Sequence, residues 1–258
     1  MQKNEIVYKE QITSLFLNIL ELVNYEVQDS SNYEKDFKKK MKFQKLTDRK
    51  KLLASVYLLN DTELALISFF TYQLGDKRNN NNDFGEKNIR LYGVLNSVYL
   101  QIGAYETLMN LMNFPNRKEV MNKLRDLEIY KLRGMAGSHT VGYIYDEDIL
   151  RNNPNIDKTT SFRIVQVSLE KTGSKIVLFD DNKLRYEFNL LECLTIYEKF
   201  ATELLINLLN HSIKKLVFDR NDRIEMLERL SYLTSNLIDY STLDKNKNYS
   251  PLSSFDKI

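Results

Sequence analysis

Apolar residues along this chain follow helical spacing over most of its length. Leucine, isoleucine, valine, methionine and tyrosine recur three or four positions apart, which places them on one side of an α-helix. Three proline and eight glycine residues among 258 also favour long helices over a turn-rich sandwich. The pattern predicts helices at residues 5–25, 52–59, 64–74, 86–113, 117–133, 190–210 and 223–237.

Polar residues match helix N-termini at three places. Asn4 precedes the first predicted helix and can act as its N-cap. Asn60 with Glu63, and Asn116 with Glu119, have the three-residue spacing of a capping box, in which two side chains satisfy free backbone amides. These pairs predict that new helices begin after Asn60 and after Asn116.

A shorter-period pattern interrupts the helices in the second half of the chain. Apolar residues partly alternate with polar ones at 162–169, 175–179 and 184–188, and turn-forming residues separate the three runs. We therefore predict a mainly α protein, a helical bundle with a small antiparallel β-meander inserted near residues 160–190. Residues 1–45 should form a helix and basic segment packed on the core, 46–240 the main helical domain, and 241–258 a flexible tail.

Composition narrows the compartment and the chemistry. The N-terminus lacks the charged-then-apolar order of a signal segment, and no apolar run reaches the roughly 18 residues of a membrane span, so we expect no membrane partner. The single Cys193 cannot form an internal disulfide, which favours the cytoplasm. One cysteine and two histidines disfavour a zinc site, and no cofactor motif is present.

One segment carries most of the positive charge. Residues 35–51 have an excess of +7, whereas the whole chain is +2, so the remainder is negative. The segment has two interpretations: a phosphate-facing patch with Phe37 and Phe43 as stacking platforms, or a solvated helix face whose phenylalanines enter the core. In the first interpretation the nucleic-acid-binding residues are Lys38, Lys39, Lys40, Lys42 and Lys45.

The candidate catalytic residues are Arg133 and His139, one of two histidines in the chain. We expect the helix to end at Arg133, because Gly134 and Gly137 leave helical geometry readily, and Ser138 can cap whatever follows. Such a turn would bring guanidinium and imidazole together. The alternative is that Arg133 pairs with an acid and His139 is structural. His211, in an apolar context, is expected to be structural.

An Arg-x5-His spacing after a core helix, followed by another long helix, resembles the HEPN superfamily over residues 52–210. The position after the arginine, commonly polar in active members, is Gly134, and the nearest tyrosine after the histidine is Tyr143. The resemblance implies a dimeric helical bundle and a metal-independent ribonuclease of toxin or antiviral systems. An antitoxin or defence-system protein is then an expected partner.

The residue types fit RNA cleavage. His139 can donate or accept a proton near neutral pH, and Arg133 can hold two phosphate oxygens in its planar fork. Because one histidine cannot make both proton transfers efficiently, a homodimer is the natural completion, and the product would carry a 2′,3′-cyclic phosphate. The alternative function is a catalytically inactive helical module that binds nucleic acid or a partner protein through the segment at 35–51.

Overall fold

The computed structural model describes residues 7–74, 84–137, 143–144, 151, 159–165, 169 and 175–239. Within these residues the chain is mainly helical with a small antiparallel sheet, so the predicted fold class is confirmed. The helices are α1 (Lys9–Thr13), α2 (Leu15–Val27), α3 (Tyr33–Lys40), α4 (Asp48–Tyr72), α5 (Phe84–Leu111), α6 (Arg117–Asp126), α7 (Glu128–Gly137), α8 (Leu190–Leu216) and α9 (Arg220–Ser235).

The centre of the bundle is the pair α4 and α5, which pack along each other's length. Helix α1 lies against α4, α7 lies against α5, and α8 contacts α1, α2, α7 and α9. Their apolar faces form one continuous core of buried residues from Val7 to Leu233. The two ends of the described chain also meet, because Val7 N–H donates to Asn236 O (3.2 Å) and Ile238 N–H donates to Val7 O (2.9 Å).

Helix α4 corrects the prediction of two helices at 52–59 and 64–74. The chain is helical without interruption from Asp48 to Tyr72, so Asn60 and Glu63 do not form a capping box. Both side chains are buried inside the bundle. A polar residue followed three positions later by glutamate has the same sequence pattern in either role, and here the tertiary partner of Glu63 decides between them.

By length and composition, α4 also qualifies as a candidate membrane span in the described part of the chain, with a mean hydropathy of 1.3 over its best window. In that window, 56% of the residues are buried inside the structure. The core helix of a folded domain meets the same criteria, so the finding is weak support for a membrane segment.

The predicted helix at 117–133 is also two helices. Leu127 has an extended backbone (ψ 139°) and separates α6 from α7. Asn116, at the start of α6, has a left-handed φ of 53° and makes no capping bond with its side chain, so the second predicted capping box is wrong. Glu119 pairs instead with Lys123 at 2.8 Å, four residues along the same helix.

The β-meander lies where the sequence places it. Strands β3 (Phe162–Ile164), β4 (Lys175–Asp180) and β5 (Arg185–Asn189) form an antiparallel sheet in that order, with Phe162 opposite Asp180 and Ile176 opposite Phe188. Strands β1 (Tyr143–Ile144) and β2 (Thr159–Thr160) form a separate antiparallel pair. β5 leads directly into α8, whose N-cap Asn189 accepts a hydrogen bond from Glu192 N–H (3.3 Å).

Helix α9 allows a direct test of local stabilisation. Its N-cap Asp219 accepts hydrogen bonds from the backbone N–H groups of Asn221 (2.7 Å) and Asp222 (3.0 Å). We expect Asp219→Ala to lower the free energy of unfolding by about 1 kcal/mol. In thermal unfolding this corresponds to a Tm lower by about 2–4 °C. The exposed Glu228→Ala on the same helix should leave the Tm nearly unchanged, and an equal loss in both variants would contradict the capping role.

Candidate functional site

Arg133 lies inside α7, which continues through Gly134 to Gly137. The prediction that the helix ends at Arg133 is therefore wrong. Leu132, Met135 and Ala136 are buried on this helix, and their packing outweighs the roughly 1 kcal/mol by which a glycine disfavours a helix interior. The site cannot depend on a turn between Arg133 and Gly134.

The Arg133 side chain is held by an aromatic surface on α5. Its guanidinium carbon lies 3.8 Å from the ring centroid of Tyr99, which is 40% exposed. The Tyr99 ring in turn stacks on Tyr130 at 6.4 Å and 28°. A guanidinium over a tyrosine face is held by cation–π attraction while its N–H groups remain able to bind an anion.

Arg133 differs from several other arginines in its charge partners. Among the described residues no carboxylate lies within salt-bridge distance of Arg133, whereas Arg90 pairs with Glu86 (2.7 Å) and Arg125 lies 3.4 Å from Glu106. The interpretation that Arg133 pairs with an acid therefore receives no support from the described part of the chain. A partly exposed guanidinium with no carboxylate partner among the described residues can bind a phosphate group.

The remaining predicted members of this site are not placed. Ser138 and His139 lie outside the described residues. Tyr143 is described only through its backbone, which pairs with Thr160 in the β1–β2 ladder. Of the two predicted catalytic residues, Arg133 is thus the one that the structure describes.

The predicted lysine patch lies on α3 and the connection to α4. Lys39, Lys42 and Lys45 are exposed, while Lys38 and Lys40 are half-buried. Lys40 pairs with Glu26 at 2.7 Å. The lysines therefore form an accessible cationic surface, which is what both interpretations of this segment require.

Phe37 and Phe43 do not serve as stacking platforms. Both are buried, and their rings lie 6.4 Å apart within the core. Arg49 covers the remaining side of Phe37, with its guanidinium carbon 4.9 Å from the ring centroid. That part of the nucleic-acid interpretation is wrong, because the two phenylalanines anchor α3 and the following turn to the bundle.

His211 has structural contacts, as its apolar context indicates. Its Nε2 lies 3.2 Å from Met112 O, and its ring meets Phe114 edge-on at 5.5 Å. The same carbonyl accepts a hydrogen bond from Lys215 Nζ (3.1 Å). These contacts tie α8 to the end of α5.

A buried ionic cluster was not found from the sequence. Lys9 Nζ on α1 lies 2.9 Å from a carboxylate oxygen of Glu63 on α4 and 2.5 Å from one of Glu198 on α8. Beside it, Tyr197 O–H donates to Gln101 Oε1 at 2.9 Å, and Tyr105 is also buried. The one sequence feature that could have indicated this cluster is Glu63, a glutamate between two apolar runs of α4.

Burial sets the protonation of this cluster. It raises the pKa of Glu63 to about 8, although Lys9 opposes the shift, so Glu63 is mostly protonated at neutral pH. Burial alone would lower the pKa of Lys9, but Glu198 and Glu63 outweigh it and hold the pKa well above the usual value. The cluster at neutral pH is thus a lysine ammonium between one carboxylic acid and Glu198.

Lys9 and Glu198 also line a cavity of about 530 Å³ between α8 and the end of α9. Oε1 of Glu198 is buried without a hydrogen-bond partner among the described residues. Within that same part of the chain, no three histidine, cysteine, aspartate or glutamate residues converge to hold a metal ion.

Comparisons with known proteins add no family to these observations: no family model, no curated protein and no solved structure matches this chain.

Removal of the buried cation should destabilise the fold. We expect Lys9→Met to lower the free energy of unfolding by about 3–5 kcal/mol, because it leaves the buried carboxyl groups of Glu63 and Glu198 without the ammonium that contacts both. Urea unfolding measures this change, with the exposed Lys199→Met on α8 as the matched control. Adding Glu63→Gln and Glu198→Gln to Lys9→Met should recover much of the loss. If it does not, lost packing and not charge explains the effect.

The raised pKa of Glu63 predicts a pH dependence of stability. Between the ordinary glutamate pKa of 4.5 and about 8, the folded state keeps this proton and the unfolded state releases it. The stabilisation from Glu63 is therefore complete below pH 4.5 and is lost as the pH rises through about 8. Glu63→Gln should flatten urea-unfolding stability across this window. An unchanged slope in that variant would contradict the assignment.

Proposed function

We propose that this chain is a cytoplasmic endoribonuclease of HEPN type that cleaves RNA without a metal ion and acts as a toxin or antiphage defence effector. The observation that carries the proposal is Arg133, whose guanidinium lies against Tyr99 with no carboxylate partner among the described residues. An arginine in this state can hold a phosphodiester through two N–H groups.

The chemistry needs one proton to leave and one to arrive. The 2′-oxygen of the ribose attacks phosphorus as its proton is removed, and the bond from phosphorus to the 5′-oxygen breaks as that oxygen gains a proton. His139 is the proposed group for one of these transfers, since its reference pKa lies near neutral pH. Arg133 stabilises the charge on the phosphorane oxygens. The products are a 2′,3′-cyclic phosphate and a 5′-hydroxyl.

The continuous α7 helix supports this assignment in a way that differs from the predicted broken end. Gly137 follows Arg133 by four residues, so the two lie about 40° apart around the helix and about 6 Å apart along it. The described part of α7 therefore ends on the side that carries Arg133, two residues before His139 in the sequence.

A homodimer would supply the second proton transfer. Each chain has one histidine close to Arg133 in the sequence, so a two-fold pair of sites would bring two imidazoles to one substrate. A toxin of this kind would also need an antitoxin or defence-system protein to restrain it.

The alternative function is RNA or protein binding without cleavage, through the lysine patch. It is favoured by one observation: Lys39, Lys42 and Lys45 are exposed and, among the described residues, have no carboxylate within salt-bridge distance. Binding of this kind is strongly salt-dependent.

The test is RNA cleavage by the full chain in excess chelator. We expect Arg133→Ala to reduce the cleavage rate by about 10²–10³-fold, because it removes charge stabilisation in the transition state. His139→Ala should reduce it by about 10²–10⁴-fold, and end-group analysis should find cyclic phosphates.

Each variant has a matched control in the chain. Arg125→Ala removes an exposed arginine that already faces Glu106, and His211→Gln keeps a side chain able to donate to Met112 O. Both should cleave RNA at close to the wild-type rate. Full activity of Arg133→Ala and His139→Ala would overturn the proposed site. Salt-sensitive RNA binding by a wild-type chain that never cleaves would favour the alternative.

A further inference from the structure

Two adjacent cavities share the side chain of Lys42. The first, of about 360 Å³, lies between α3 and the segment after α8, and its lining includes one carboxylate, Asp36, beside Lys39, Lys40 and Phe218. The second, of about 300 Å³, lies between the α3–α4 and α5–α6 turns. Lys42 lines both. The predicted lysine patch is therefore one wall of a longer groove whose other residues come from distant parts of the chain.

The second cavity is strongly cationic. Lys42, Lys45, Lys51 and Arg117 line it, against one carboxylate, Asp48. Within the described ranges, Lys42, Lys45 and Arg117 have no carboxylate at salt-bridge distance. The amides Gln44, Asn110 and Asn113 complete its polar lining and add hydrogen-bond donors.

Asp48 does not cancel this charge by facing outward. It is buried and accepts hydrogen bonds from the backbone N–H groups of Gln44 (3.1 Å) and Lys45 (2.9 Å), with Lys51 Nζ at 3.4 Å. Burial raises the pKa of Asp48, but these hydrogen bonds outweigh it and the net shift is downward. The carboxylate is occupied by the α3–α4 turn and by Lys51, which leaves Lys42, Lys45 and Arg117 for a ligand.

Two tight turns hold the walls of this cavity. Lys42 (φ 57°) and Asn113 (φ 48°) have left-handed backbones that end α3 and α5. The next residues close both helix ends, as Phe43 N–H donates to Lys38 O and Phe114 N–H donates to Met109 O, each at 2.9 Å. The charged side chains are thus presented from closed, hydrogen-bonded turns.

The first cavity contains an exposed aromatic ring. Phe218 is 52% exposed, and the Nζ atoms of Lys40 and Lys42 lie 4.7 Å and 5.8 Å from its centroid. An exposed ring flanked by ammonium groups can stack an unpaired base and hold the neighbouring phosphate. Phe218 therefore has the exposed position beside lysines that the nucleic-acid interpretation of the sequence gave to Phe37 and Phe43, whereas those two rings enter the core as the other interpretation expected.

We propose that the two cavities form one groove for single-stranded RNA, in which a base stacks on Phe218 and the following phosphates bind Lys42 and then Lys45, Lys51 and Arg117. Stacking on Phe218 requires an unpaired base, which a duplex does not offer. The choice of RNA rests on the proposed function, because the cleavage chemistry uses a 2′-hydroxyl. The groove would hold the substrate strand by contacts separate from those of Arg133.

Fluorescence anisotropy with a short labelled 2′-O-methyl oligonucleotide tests the groove, since this RNA analogue binds but cannot be cleaved. We expect Lys42→Ala and Arg117→Ala to weaken binding and each to lower the slope of log K against log salt by about 0.7, the value for one lost phosphate contact. The neighbouring Lys118→Ala, which removes a cation outside both cavities, should bind as the wild type does.

Phe218 gives an independent readout. Phe218→Ala should weaken binding about tenfold through lost stacking while leaving the salt slope unchanged, and Phe218→Tyr should restore it. Competition by duplex RNA should be much weaker than by the single strand. Thermal unfolding of each variant should match the wild type, because these side chains are exposed.

Wild-type affinity and salt slope in the Lys42, Arg117 and Phe218 variants would overturn the groove, as would equal competition by duplex. The outcome is distinguishable from that of the nuclease test. A chain that never cleaves RNA but loses binding in these variants would retain the groove and lose the proposed chemistry. A chain that cleaves RNA at the wild-type rate and binds it normally in all three variants would retain the chemistry and lose the groove.

Discussion

The fold depends on how a buried lysine ammonium is accommodated. Lys9 is inside the bundle, and a charge in that position is tolerated only with close polar partners, which α4 and α8 supply through the carboxyl groups of Glu63 and Glu198. This requirement fixes three elements that are far apart in sequence. It holds α1 against the bundle, and α1 in turn positions Val7 to pair with the segment after α9. It also favours an unbroken α4, since a helix that restarted after Asn60 would turn Glu63 away from Lys9.

The same cluster shows why sequence reasoning found the fold class but misplaced some boundaries. The spacing of apolar residues along a helix or strand follows from which of its faces is buried. The bundle and the meander could therefore be predicted from the local sequence. Capping signals are ambiguous, because an asparagine followed three residues later by a glutamate fits two structural roles. Asn60 and Glu63 could cap a new helix, or Glu63 could contact a buried lysine from within a continuous helix. Gly134 shows the converse: a residue that disfavours helices by about 1 kcal/mol is carried along when its neighbours, Leu132 and Met135, are buried.

Of the candidate site, the sequence could predict the exposed lysines, because the exposure of a lysine run follows from its composition. A run of lysines must reach solvent, and Lys39, Lys42 and Lys45 do so. The local sequence could not predict which aromatic ring lies beside these lysines. Phe37 and Phe43 are close to them in sequence but lie in the core, whereas Phe218 comes from the segment after α8. The stack of Arg133 on Tyr99 is likewise a contact between two helices, and it could not be predicted from the sequence of either segment.

The near-equal numbers of basic and acidic residues make it informative that some cations have no carboxylate partner among the described residues. With 37 basic and 35 acidic residues, one-to-one pairing would leave only two arginines or lysines without a carboxylate. Elsewhere the surface pairs them, as in Arg90 with Glu86 and Lys175 with Glu187. Such surface pairs contribute only about 0–1 kcal/mol, so it costs the fold little that Arg133, Lys42 and Arg117 have no such pair among the described residues. A carboxylate at those positions would compete with an incoming phosphate. The distribution of charge, more than its total, is therefore what supports the proposal that this near-neutral protein binds a polyanion.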